Sequence, residues 1–117
     1  MDRRELSVQG TSVNGLPEAL YEELLQERKG SVERYDGDGF DVIVVERYYA
    51  RNNSDQQATI IFDVLTDVTT KVTILSGGGG TGPFLFNLGS HRSQTKKLAN
   101  QIIELCESDE LQLDVTL

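Results

Sequence analysis

A chain of 117 residues with 38% hydrophobic content fits a single domain, 1–117, with one core, and is too apolar for disorder. Its net charge of −8 argues against nucleic acid as the main partner, because neutralising phosphates supplies most of such affinity. One cysteine excludes an internal disulfide, no apolar run is long enough to span a bilayer, and Met1-Asp2-Arg3-Arg4-Glu5 lacks the apolar core of a secretory signal, so the expected compartment is the cytoplasm, with no membrane partner.

Residues 5–9 alternate, with Leu6 and Val8 inward, and predict a short strand. A polar turn, 10–15, leads to a predicted helix over 16–29. Pro17 suits its first turn, Glu18 complements the dipole, and Gly30 suits the C-terminal cap. Leu16, Leu20 and Leu24 lie four apart with Leu25 beside them, which gives an apolar face. A strand over 31–35 is followed by Asp36-Gly37-Asp38-Gly39, a hairpin signal, because Asp-Gly supplies the positive φ that tight turns need. Residues 40–49, rich in Val, Ile and Tyr, predict a strand; 51–56 read as a polar loop. Strands follow over 58–65 and 68–75, with Thr66-Asp67 as the turn between them. The apolar stretch 83–88 fits a further strand or a packed connector. Gly89-Ser90 opens the last helix, capped by Ser90 or Ser93, with Leu98, Ile102 and Cys106 on its core face and Ala99, Ile103 and Leu105 flanking. The acidic tail, 108–117, alternates at Leu111, Leu113, Val115 and Leu117 and is able to add an edge strand.

The order is β-α-β-β-β-β-α. Strands joined by short turns must be antiparallel neighbours, and two amphipathic helices cover one face of their sheet. The expected fold is therefore an α+β two-layer sandwich with an antiparallel sheet and both helices on one side. In the strand over 40–49, Phe40, Val42, Val44 and Tyr48 form one side; in the strand over 58–65, Ala58, Ile60, Phe62 and Val64 do so. These more apolar sets are expected to meet the helices. The opposite sides then place Ile43, Val45, Ile61 and Leu65 on the open face, among Asp41, Arg47, Tyr49, Thr59 and Asp63. A solvent-facing sheet surface usually reads polar, so four aliphatic residues there predict a contact surface for a homodimer or a protein partner.

A second candidate is the loop Gly77-Gly78-Gly79-Gly80-Thr81-Gly82, five glycines in six residues. Gly77 and Gly82 have the spacing of a phosphate-binding loop, but Pro83-Phe84 stand where Lys and Ser or Thr belong. With Ser90, His91 and Arg92 at the expected helix start, the loop forms an alternative site for a small, anionic ligand. Asp36, Asp38 and Asp41 fall short of a calcium loop. One His and one Cys, the latter on an apolar helix face, give no catalytic dyad and no metal cluster. No catalytic residue, metal or cofactor is assigned, and the chain reads as non-enzymatic.

Glu46-Arg47-Tyr48-Tyr49, then Ser76-Gly77-Gly78 leading through Phe84, Phe86 and Asn87 to Gly89 and the closing helix, resemble a family of short, uncharacterised prokaryotic proteins, a domain of unknown function. The resemblance covers roughly residues 40–106 and implies no activity. The element order is also similar to the fold of the TATA-box-binding protein. That likeness concerns the fold alone, and the acidic charge speaks against DNA.

Overall fold

The computed structural model describes residues 1–49, 54–77 and 84–117, with the side chains of 48, 49, 54, 55 and 84–91 set aside. In chain order the elements are β1 (Asp2–Gln9), a 3-10 turn (Val13–Gly15), α1 (Leu16–Glu27), β2 (Gly30–Asp36), β3 (Phe40–Tyr49), β4 (Ser54–Thr66), β5 (Thr69–Gly77), α2 (Phe84–Glu107) and β6 (Asp114–Thr116). The strands form one sheet in the order β2-β3-β4-β5-β1-β6, and each neighbouring pair is antiparallel. The fold is the expected α+β arrangement, with β6 added at the edge. No helix among the described residues is long and apolar enough to cross a membrane.

The turns explain the meander. Between β2 and β3, the Gly37 N–H donates to the Phe40 carbonyl at 2.8 Å, and Gly39 adopts φ +84°. A three-residue hairpin loop places such a left-handed residue at its end, and glycine takes it without strain. Between β4 and β5, the Val68 N–H donates to the Thr66 hydroxyl at 3.2 Å. A register break between Val64 and Thr66 tightens that end.

One hydrophobic core lies between the layers. α1 contributes Leu16, Leu20 and Leu24; α2 contributes Leu98, Ile102 and Cys106. The sheet answers with Leu6, Val8, Ile43, Val45, Ala58, Ile60, Phe62, Val72 and Ile74. Burying one such aliphatic or aromatic side chain stabilises by about 1.5–3 kcal/mol. Because all of these residues meet in one cluster, both helices cover the same face of the sheet. Leu113, after α2, closes the end of the core beside β1 and packs on Gly10.

Several elements differ from the sequence expectation. The inside and outside of β3 are exchanged: Ile43 and Val45 are buried, while Val42 and Val44 face away from the helices. Register decides this. Ile43 lies opposite Ile60 and Val45 opposite Ala58, and opposite residues in an antiparallel pair share a face. β4 starts at Ser54, inside the expected polar loop, because it pairs with the whole of β3 as far as Tyr49. α2 already includes Phe84, well ahead of Ser90, so the stretch 84–88 is helical rather than a strand or a connector, and Pro83 lies outside the described residues. Leu25 is 42% exposed and outside the apolar face of α1. α1 ends on Arg28, at φ +54°, and Gly30 already belongs to β2.

Candidate interaction face

The face of the sheet turned away from the helices is built in register. Tyr35 of β2 lies opposite Val42, Val42 opposite Ile61, Ile61 opposite Thr73, and Thr73 opposite Glu5. The next row is Glu33, Val44, Thr59, Leu75 and Arg3. Val42, Val44 and Ile61 therefore form an apolar centre on β3 and β4, and Leu75 of β5 joins it on the diagonal from Ile61, with Thr59 between Leu75 and Val44. All four are half-buried by their neighbours within the sheet. At one end Phe40 stacks on Tyr35 with ring centroids 5.9 Å apart. Phe40 also lies over Gly37, where a Cβ would strike its ring. At the other end a recess of about 160 Å³ opens between Met1, Gln57, Thr59, Leu75 and Gly77.

Charged and polar groups ring this centre. Asp63 and Lys71 are cross-strand partners, Glu33 and Glu46 lie toward the β2 side, and Arg3 grips Glu5 on β1. The Arg3 hydrogen bond, and then its charge, hold the Glu5 carboxyl below the usual carboxylate range. An apolar centre with a polar rim is the anatomy of a protein contact surface.

The structure divides the four residues that the sequence pattern predicts for this face. Ile61 lies at its centre, and Leu65, 60% exposed, sits at the register break beyond it. Ile43 and Val45 belong to the core. Val42, Val44 and Leu75 take their place, with Tyr35 and Phe40 at the margin. Both sides of β3 are apolar in sequence, so only its register with β4 separates them.

The alternative site is dispersed. Gly77 ends β5, and Gly78, Gly79, Gly80, Thr81 and Gly82 lie outside the described residues. Ser90, His91 and Arg92 sit within α2, beyond its first turn, so their N–H groups are not those of a free helix N-terminus. The side chains of Ser90 and His91 are outside the description, and Arg92 is exposed. Its carbonyl accepts from the Thr95 hydroxyl at 3.0 Å.

Under α2, at the same end of the sheet, lies a buried polar cluster that the sequence did not announce. The Ser76 hydroxyl donates to the Gln94 side-chain oxygen at 2.6 Å. Thr95 is held between the Asp2 carboxylate and Arg4, whose Nε donates to it at 3.1 Å. Gln56 is 1% exposed, and neither its amide nitrogen nor its amide oxygen has a partner among the described residues. The Gln94 nitrogen is in the same position. A buried polar group left unpaired costs about 1–3 kcal/mol.

No group of three or more His, Cys, Asp or Glu side chains among the described residues is placed to hold a metal. Cys106 is enclosed in the core, and burial pushes its thiol up to about 11. Among the described residues, the fold is thus a small α+β arrangement with one sheet face that neither helix covers. No family model matches the chain, and neither does any curated protein.

Proposed function

We propose that this protein is a non-enzymatic module that self-associates, or takes up a protein partner, through the uncovered face of its sheet. One observation carries the reading: Val42, Val44, Ile61 and Leu75 gather on the same face of three neighbouring strands. Open faces of antiparallel sheets are ordinarily polar, and larger exposed apolar patches are contact sites. A second copy is the simplest occupant, because an isologous contact needs only this one surface. The net charge of −8 supports a partner other than nucleic acid, and the single cysteine suits the cytoplasm.

Light scattering at two protein concentrations and two salt concentrations tests this reading. The expected result is a dimer whose mass does not change with concentration. Ile61→Glu sets a charge in the centre of the face and should yield a folded monomer, checked by circular dichroism. A folded Ile61→Glu protein that stays dimeric overturns the assignment of the face. A wild-type monomer overturns self-association and leaves the face to another protein.

A further inference from the structure

β1 has a neighbour along its whole length on one side and along only part of it on the other. β5 pairs with every residue from Asp2 to Gln9, whereas β6 pairs only with Ser7, Val8 and Gln9. The outer edge from Asp2 to Leu6 therefore has no strand beside it among the described residues. Such an edge offers a row of unpaired backbone donors and acceptors.

A groove of about 430 Å³ runs along this edge between β1 and α2. Leu6, Ala99 and Ile103 supply its apolar walls, and Leu117 stands beside them. Its lining carries the cations Arg4 and Lys96 and the anion Glu5, and Arg4 also stands 4.0 Å from the Asp2 carboxylate. Glu5 reaches the groove through its place on β1, but its side chain is bound by Arg3. With Glu5 bound by Arg3 and Arg4 beside Asp2, the exposed Lys96 is the cation that favours negative charge in whatever lies there. β6 already demonstrates that the edge of β1 accepts an antiparallel strand.

We propose that this edge is a strand-addition site for an extended segment of another protein, carrying an apolar and an acidic side chain two residues apart. Residues two apart on a strand point to the same side. One inward side chain meets Ala99, Ile103 and Leu117, and the other brings its carboxylate to Arg4 and Lys96. Backbone hydrogen bonds along Asp2–Leu6 supply affinity, and the two inward side chains supply selectivity. A second copy of β1 suits the edge less well. Symmetric antiparallel pairing centred on Arg4 would set two arginines opposite each other, and like charges opposite one another destabilise a sheet.

The probe is the peptide acetyl-Thr-Val-Thr-Asp-Thr-Val-Thr-amide, with a counterpart carrying lysine in place of aspartate. Binding is followed by amide chemical shifts and by hydrogen exchange of β1. The acidic peptide should shift and protect amides of residues 2–6, and bind at least tenfold more tightly than the lysine peptide. Lys96 is exposed, so Lys96→Glu leaves the fold intact and should reverse that preference. Asn100→Trp, on the groove rim, should block both peptides. Equal binding of the two peptides, no binding, or shifts confined to the open sheet face would overturn the proposal. An association state of Lys96→Glu that differs from the wild type's would overturn it too, because it would make the occupant a second copy.

Discussion

A Cβ placed on Gly30 would run into the Glu46 carbonyl oxygen, and the residue's φ is +156°. α1 has turned on Arg28, and the chain then passes straight into pairing with Arg47 on β3. Gly30→Ala is therefore expected to cost about 1–3 kcal/mol, the range for forcing atoms into a packed site. Urea denaturation reads the loss, and an unchanged midpoint would mean that the two backbones do not approach this closely. The sequence marks Gly30 as important but for another reason, since a glycine after a helix reads first as its cap. The close approach belongs to the pairing of β2 with β3, which local pattern does not contain. Cys106 was easier to read, because its place in the apolar repeat of α2 predicts burial. Its thiol is raised from an ordinary 9.0 to about 11, chiefly by desolvation and then by Glu107. The neutral thiol is thus favoured by folding. Its contribution is fully present below about pH 9 and is lost as pH rises through about 11. At pH 8 a thiol reagent should label the native protein only as fast as it opens; immediate labelling would place Cys106 at the surface.

At the scale of elements, Arg47 shows how much a strand's orientation matters. The sequence pattern predicts it on the open face with Ile43 and Val45. All three turn inward together, and the Arg47 guanidinium donates to Glu27 of α1 at 2.7 Å. The Gln101 side-chain nitrogen of α2 donates to Glu23 at 2.7 Å and to Glu27 at 2.8 Å. Four side chains thus tie β3 to both helices. Arg47→Met should destabilise by about 1–3 kcal/mol, because it leaves a half-buried carboxylate short of a partner. Combined with Gln101→Leu, the loss should fall short of the sum of the two single losses, as expected for residues sharing Glu27. Strict additivity in a double-mutant cycle would separate the two contacts. Strand positions and the two helix faces were legible because their periods are strong. The start of α2 was not. Phe84, Leu85 and Phe86 form a short apolar run, which period alone does not assign to helix or strand.

For the whole molecule, the two-layer fold followed from element order and from two one-sided helices. The choice of which sheet face stays bare followed from register, which the sequence leaves open wherever both sides of a strand are apolar. The two surfaces proposed for contact differ in kind, and salt separates them. Association through Val42, Val44, Ile61 and Leu75 buries apolar area and should hold or strengthen as salt rises. Peptide binding beside Arg4 and Lys96 rests partly on charge and should weaken. If added salt dissolves the dimer but spares peptide binding, the two assignments are reversed.

The sheet order also sets a sequence of events in time. β2 through β5 are joined in chain order, three hairpins in succession, whereas β1 must find β5 across more than half the chain, as Leu6 does Val72. β6 then needs β1 already in place, since Val8 is the partner of Val115. Closing a long loop before its contacts form is slow, so the meander leads and the β1–β6 edge is assembled last. Substitutions in the β2–β5 meander should then slow folding, and those along β1 and β6 should chiefly hasten unfolding. The edge that carries the groove is thus the part of the sheet that the chain completes last and gives up first.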